Sequence, residues 1–177
     1  DREELARNYS YLQKFEENCR RFLNSRNLLE IEGTFNLMDW ADNDLPSYGE
    51  VTSNSAWYAE LCAIAAYFAR ELGEDDGFYL RQREKVKQAV NEWCWSENIG
   101  GYVDTVRDGF AYGRYLDYCR GTGQVPVPEA RFSNASRVSQ QTNTIAYLCG
   151  CVPASRERRV KEIIRLALKG SRRVGTP

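Results

Sequence analysis

Residues 56–72, AWYAELCAIAAYFAREL, place apolar side chains around the whole circumference of a predicted helix. Only Glu60, Arg70 and Glu71 are charged, so the segment has no broad polar face for water. A helix that is apolar all round is buried all round, and Gly73 supplies a C-terminal stop. A plain up-and-down bundle makes every helix one-sided, so this segment argues against that fold.

The other predicted helices alternate with this one in character. Residues 3–24, 77–95 and 154–170 are amphipathic, with apolar side chains on one face and charged ones on the other. Residues 138–150, VSQQTNTIAYLCG, become apolar from Ile145 and are interpreted as a second buried helix. Buried inner helices that alternate with one-sided outer helices are typical of an α/α toroid. The predicted fold class is therefore all-α, a partial toroid, with residues 1–177 as a single fragment.

The segments between these helices are predicted as loops that contain short regular pieces. Residues 25–55 form a long loop with an extended piece at 34–38, and residues 96–134 contain a strand in GGYVDT and a short helix at 110–118. Tetratricopeptide repeats are an alternative, but no self-similar period is present. The opening DREELARNYS is typical of a charged helix start without a leader, and we expect it to be a cut through a larger protein.

Composition excludes several classes of function. The sequence has no histidine, which excludes His-based nucleophilic catalysis and His-ligated zinc. It has neither GxxxxGK[ST] nor GxGxxG, and we predict no cofactor and no metal. A net charge of −1 and the lack of a long apolar run give no reason to expect nucleic acid or a membrane as partner. The six cysteines stand mostly among apolar neighbours, which favours reduced core thiols in a cytoplasmic protein.

Two polar clusters lie where the chain enters the two buried helices. The first, NLMDWADND at 36–44, places Trp40 among three aspartates, and the second is VSQQTN at 138–143. In a toroid these entries lie at the same mouth of the barrel and form a concave site. Indole stacks on the apolar face of a pyranose and carboxylates accept hydrogen bonds from its hydroxyls, so the pattern favours a carbohydrate. The candidate substrate-binding residues are Asp39, Trp40, Asp42, Glu50, Asn54, Trp57, Gln141 and Asn143.

These residues also have ordinary structural interpretations. The aspartates are good helix caps, Trp40 and Trp57 are common core residues, and residues 139–143 are typical of a capping segment. The sequence alone leaves both interpretations open.

A resemblance to a known family rests on several pieces in order. These are FNLMDWADND, VTSNSAWYAELCAIAAYFARELG, YLRQREKVKQAVNEWCW, GGYVDT and SRVSQQTNTIAYLCGCVP. Together they resemble the middle of the bacterial α-L-rhamnosidases and related six-hairpin glycosidases, over about residues 30–165. The most specific pieces are residues 35–40, where a phenylalanine leads into Asp-Trp, and residues 139–143 followed by an apolar run and Gly150.

The resemblance implies an (α/α)6 barrel and hydrolysis of a terminal rhamnose with inversion. Inversion requires two carboxyl groups, a general acid and a general base. The resemblance places the acid in a motif before this region and the base in a later hairpin, and the chain contains neither motif. It places Asp39 and Trp40 near the sugar subsite as binding residues. The catalytic residues are therefore unknown, and we expect the isolated chain to be inactive.

Two further functions stay open, which are another glycosidase or polysaccharide lyase on the same barrel and a non-catalytic helical carbohydrate-binding or scaffold domain. A partial ring leaves an inner helix such as 56–72 with an uncovered apolar side. We therefore expect, besides the carbohydrate substrate, either the remaining part of the barrel or self-association through the open side. Trp57, Tyr58 and residues 139–143 are expected on the concave side.

Overall fold

The computed structural model describes residues 1–32 and 48–168. The described residues are mostly helical, as predicted. They form seven helices: α1 (Arg2–Arg20), α2 (Thr52–Leu72), α3 (Gly77–Trp93), α4 (Gly109–Thr122), α5 (Glu129–Ser133), α6 (Gln140–Leu148) and α7 (Ala154–Leu168). Two short antiparallel hairpins accompany them, β1 (Glu30–Glu32) with β2 (Tyr48–Glu50), and β3 (Trp95–Ser96) with β4 (Gly101–Tyr102). The extended piece predicted at 34–38 lies outside the described residues.

The two helices predicted to be buried, α2 and α6, contact each other at the centre of the structure. The one-sided helices pack outside them, with α1 and α3 against α2 and with α7 against α6. Five alanines of α2 are buried, and their small side chains let neighbouring helices approach closely: Ala56, Ala59, Ala65, Ala66 and Ala69. The left-handed Gly73 (φ +79°) ends α2, because glycine adopts this conformation without steric penalty.

Part of the predicted burial is wrong, because one side of α1 and α2 is not covered by any described segment. Trp57, Ile64 and Tyr67 of α2 are exposed, although the sequence predicts burial on every side. Phe15 and Phe22, which fall on the predicted buried face of the first helix, are also exposed. Apolar periodicity indicates which face avoids water, but it does not say what covers that face.

The segment around β4 connects the outer and inner helices. The strand predicted in GGYVDT is present as β4, and the chain continues from it past the N-terminus of α2, where Thr52 N donates to Asp104 O at 3.0 Å. A smaller core under α4 and α5 contains Tyr115 stacked on Phe132, with ring centroids 5.0 Å apart. The helix predicted at 110–118 is present as α4, and it is longer than predicted.

The cysteine environments match the predicted core positions. All six are free thiols, five of them buried and Cys19 half-buried. Burial raises the pKa of the Cys94 thiol and of the Cys149 thiol to about 12, so both are protonated and unreactive near neutral pH.

Within the described residues, no helix is both long enough and apolar enough to cross a membrane.

Gly101 of β4 lies where a larger side chain cannot fit. A Cβ at this position would come within 2.7 Å of both Ile163 Cδ1 and Val138 Cγ1. We expect Gly101→Ala to lower the free energy of unfolding by about 1–3 kcal/mol, the usual effect of overpacking, as measured by urea denaturation. Gly113→Ala is the matched control. Gly113 lies in the middle of α4, and a Cβ there would meet no atom within 4 Å, so the substitution only replaces a helix-interior glycine by alanine. A stability loss of equal size in both variants would contradict the steric explanation.

Candidate functional site

The candidate residues occupy several different environments in the structure. Asp39, Trp40 and Asp42 lie outside the described residues. Glu50 and Asn143 are buried in two separate polar networks, and Gln141 is half-buried on α6. Asn54 and Trp57 line a groove between α1 and α2. The structure therefore does not bring the described candidates together in one open cleft.

Glu50 stands at the centre of a carboxylate network at the base of the β1–β2 hairpin. Its Oε1 accepts a hydrogen bond from Asn24 Nδ2 at 2.5 Å, and its Oε2 accepts one from Arg26 Nη1 at 3.3 Å. Glu30 is its direct cross-strand partner and accepts from the same Asn24 Nδ2 at 3.3 Å. The network also includes Asp108, which binds Arg26, and Arg114, which binds Glu30.

Arg26 is the cation that holds this network together. Its Nη1 donates to Asp108 Oδ2 at 2.8 Å as well as to Glu50. Its guanidinium carbon lies 4.3 Å from the centroid of the Trp93 ring and 4.0 Å from that of Phe110, so the group is held between two aromatic faces. Such stacking suits the planar, weakly hydrated guanidinium. The side chain is 11% exposed, and it joins the hairpin to α3 and to the start of α4.

The two acids bound by Arg26 have opposite pKa shifts. Burial raises the pKa of Glu50 above its usual 4.5, although Asn24 and Arg26 act to lower it. Burial also acts to raise the pKa of Asp108, but the N–H of Ala111 and the Arg26 guanidinium outweigh it and lower that pKa overall. Asp108 is the N-cap of α4, where a carboxylate accepts backbone hydrogen bonds well. Of these two acids, Glu50 is therefore protonated before Asp108 as the pH falls.

Glu30 and Glu50 are closed to a substrate in this arrangement. Glu50 is 1% exposed and Glu30 is 7% exposed, and both side chains already have partners. A general acid or base must reach the proton that it transfers, and neither group is open to solvent. Glu30 is not among the candidate residues identified from the sequence. The one feature that could have pointed to it is its position beside the long loop. No local pattern marks Arg26 or Arg114, since their partners are distant in sequence.

Asn143 belongs to a second network that fixes α6 to β4. Its Nδ2 donates to Tyr102 O at 3.0 Å and to Ser139 O at 2.8 Å, and its Oδ1 accepts from Tyr102 N at 3.0 Å. Ser139 is the N-cap of α6, and its hydroxyl donates to Asp104 Oδ1 at 2.5 Å. The polar residues at the entry to this helix therefore include a cap and a backbone clamp. A sugar-binding role for Asn143 stays a prediction.

Trp57 and Asn54 line what we call the α1/α2 groove, an open cavity of about 630 Å³. Its lining residues are Phe15, Cys19, Phe22, Leu29, Asn54, Trp57, Tyr58, Glu60, Leu61 and Ile64. Tyr58, which is expected on the concave side, lines this groove but is only 2% exposed, and it donates its hydroxyl to Glu16 Oε1 of α1 at 2.6 Å. The groove can supply a stacking surface at Trp57, with polar groups from Asn54 and Glu60. Within residues 1–32 and 48–168, no cluster of acidic or cysteine side chains could hold a metal ion.

Comparison with known proteins relates this fold to a solved enzyme structure. No protein-family model matches the sequence. No curated protein matches it either. The structure is similar to the crystal structure of a GH78 family rhamnosidase of Bacillus sp. GL1, with a TM-score of 0.71, 22% sequence identity and 92% of this chain covered. This chain corresponds to 15% of the length of that rhamnosidase. The similarity shows that the chain has the fold of a helical portion of that enzyme.

Proposed function

We propose that this chain is part of a glycoside hydrolase of the α-L-rhamnosidase kind, which hydrolyses terminal rhamnose with inversion. The observation that carries the proposal is the similarity of the fold to a GH78 family rhamnosidase over 92% of the chain. The ordered sequence motifs that resemble the same family support it independently of the fold. In this proposal the segment supplies sugar-binding residues, and Asp39, Trp40 and Asp42 are the principal ones.

The positions of Glu30 and Glu50 agree with a segment that binds the sugar, while the catalytic acid and base lie in other parts of the enzyme. An inverting glycosidase holds its two carboxyl groups ~6.5–9.5 Å apart, with room for a water molecule. Glu30 and Glu50 are cross-strand neighbours that share one amide donor, and both are buried. They are therefore unsuited to act as this acid and base. The catalytic pair would come from other parts of the complete enzyme.

A scaffold or carbohydrate-binding domain without catalysis is the second candidate function. It is favoured by the hydrogen bonds that Glu50 and Asn143 already make within the protein, and by the mainly apolar lining of the α1/α2 groove. A sugar site needs polar groups aimed at several hydroxyls, and few such groups line that groove. A binding measurement on the chain distinguishes the sugar-binding proposal from a pure scaffold.

The test is titration of the chain with L-rhamnose by calorimetry, with Trp40→Ala as the variant. We expect weak binding to the unsubstituted chain and a loss of ~1–3 kcal/mol of binding free energy in the variant, because an aromatic stacking platform is removed. We also expect no hydrolysis of an aryl α-L-rhamnoside by the isolated chain.

L-Fucose is the matched control ligand, since it is also a 6-deoxyhexose but has a different arrangement of hydroxyls. Thermal denaturation of the unsubstituted chain and of the Trp40→Ala variant checks that the substitution leaves the fold intact. Rhamnose binding that is absent, or that Trp40→Ala does not change, would favour the scaffold function. Turnover that survives repurification and disappears in Asp39→Asn would relocate a catalytic role to this chain.

A further inference from the structure

A smaller cavity lies between the turn that follows α1 and the second half of α3, and we call it the Trp93 pocket. Its volume of about 280 Å³ is slightly below the ~300–1,000 Å³ of pockets that take drug-sized ligands. Among the described residues, it shares none of its lining with the α1/α2 groove, and its two walls belong to elements that are joined through α2. The side chains that define it are Ser25, Asn27, Lys85, Gln88, Glu92 and Trp93.

Trp93 supplies an aromatic surface that stays partly open to solvent. Arg26 also lines the pocket, and its guanidinium carbon lies 4.3 Å from the centroid of the indole ring. One face of the ring is therefore covered, and yet Trp93 is 39% exposed. The exposed part belongs to the opposite face and the edge of the ring. An open indole surface of this kind stacks on the apolar face of a pyranose.

Three polar side chains of α3 line the pocket beside Trp93. Lys85, Gln88 and Glu92 are spaced by three and four positions, which places them on the same face of the helix. Within residues 1–32 and 48–168, none of these three side chains forms a hydrogen bond or an ion pair with another residue. They are therefore free to bind a ligand without breaking a contact within the fold.

The opposite wall is a turn whose backbone is fixed by Asn24. The side-chain Oδ1 of Asn24 accepts from the N–H groups of Arg26 and Leu28 at 2.9 and 3.2 Å, and its own N–H donates to Leu28 O at 3.0 Å. Asn27 has a left-handed backbone (φ +59°), which asparagine adopts more readily than most residues. The turn therefore holds Ser25 and Asn27 in a fixed position across from α3.

The polar groups of the Trp93 pocket suit a neutral ligand that is rich in hydroxyls. Lys85 and Glu92 have opposite charges, and the charge of Arg26 already faces Glu50 and Asp108. The pocket therefore has no excess charge that would select an ion. Its amide, hydroxyl and charged groups together offer donors and acceptors, and each sugar hydroxyl acts as both. An aromatic surface with several polar groups around it is a suitable binding site for a single sugar ring.

We propose that the Trp93 pocket binds one neutral hexopyranose unit of a glycan. The pyranose ring lies on Trp93, and its hydroxyls bind Asn27, Gln88 and Glu92. A single aromatic platform with a few hydrogen bonds gives weak binding, with a dissociation constant on the order of millimolar. The inference uses neither Asp39 nor Trp40, so it stands whether or not those residues bind rhamnose.

Nuclear magnetic resonance of the isotope-labelled chain tests the proposal, with methyl β-D-glucopyranoside and methyl α-L-rhamnopyranoside as probes. The indole N–H signal of Trp93 is identified by its loss in Trp93→Phe, which keeps an aromatic ring beside Arg26. We expect at least one of the two glycosides to shift this signal saturably at millimolar concentration, and Trp40→Ala to leave that shift unchanged. Glycerol is the control ligand, since it has hydroxyls but no pyranose face, and it should not move the signal.

Glu92→Ala should weaken this binding roughly three- to tenfold, because a hydrogen bond to a charged group is lost. Glu84→Ala is the matched control, since Glu84 is also an exposed acid on α3 but is not among the described residues that line the pocket. Circular dichroism checks that both variants remain folded. A Trp93 signal that neither glycoside moves, or that the zwitterion glycine moves as readily, would refute the proposal. Equal binding by the two variants, or a shift that Trp40→Ala abolishes, would refute it as well.

Discussion

Arg26→Met is expected to lower the free energy of unfolding by about 3 kcal/mol near neutral pH. Methionine keeps an unbranched stem between Trp93 and Phe110 but removes the cation that faces Glu50 and Asp108. Glu50 is 1% exposed, so its ionised form would then lie in a poorly hydrated site, where Asn24 Nδ2 still donates a hydrogen bond to it. Urea denaturation followed by circular dichroism gives the difference.

The pH dependence of this effect has a definite sign. The folded-state pKa of Glu50 is raised above its usual 4.5, so the folded protein takes up this proton before the unfolded chain does. Ionised Glu50 therefore opposes folding above its folded pKa, and stability is gained as the pH falls from there towards 4.5. Arg26→Met removes an interaction that lowers this pKa, so Glu50 has a still higher folded-state pKa in the variant, and the loss caused by the substitution should shrink as the pH falls from that pKa to the folded-state pKa of the unsubstituted protein. Asp108 has a lowered pKa and loses its stabilising effect only at more acidic pH.

Arg21→Met is the matched control for Arg26→Met. Arg21 pairs with Glu17 at 3.3 Å, but the two side chains are 69% and 55% exposed. An exposed pair of this kind contributes ~0–1 kcal/mol, so the control should change stability little at any pH. Equal losses in the two variants, or a loss for Arg26→Met that grows as the pH is lowered towards 4.5, would contradict the assigned role of the network.

Asn143→Ala is expected to lower the free energy of unfolding by about 2–4 kcal/mol, because it leaves buried backbone groups without partners. Those groups are the N–H and C=O of Tyr102, which Asn143 binds with its side-chain amide. Ser139 O loses one donor as well but keeps the backbone N–H of residue 143 at 3.3 Å. Asn143 and Tyr102 are both 0% exposed, so water does not replace the lost hydrogen bonds. Thermal and urea denaturation measure the effect.

Asn8→Ala provides the control, since Asn8 is exposed on α1 and alanine is the better helix former. We expect that variant to be unchanged or slightly more stable. The comparison also separates the two interpretations of Asn143. A variant that keeps its stability but loses sugar binding would establish the ligand role and contradict the structural one.

The helices and their alternating character follow from local sequence. The period of apolar side chains is set within each segment by the 3.6-residue turn, so α1, α2, α3 and α7 are each predicted to within a few residues of their observed ends. The central position of α2 is also predicted, because its apolar circumference leaves few alternatives. The capping interpretation of residues 139–143 is confirmed at Ser139, whose side chain accepts from Thr142 N.

Long-range pairing, in contrast, is visible only in three dimensions. Arg26, Glu50 and Asp108 are far apart in the chain, and no periodic signal connects a cation to carboxylates that it meets after folding. The local sequence around Glu50 would therefore look the same whether the side chain lay in an open cleft or, as here, was paired with an arginine. Asn143 presents the same ambiguity, and its clamp on the Tyr102 backbone is a tertiary contact. Local periodicity identifies the faces that avoid water, while the partner of each polar side chain depends on which segments the whole chain brings together.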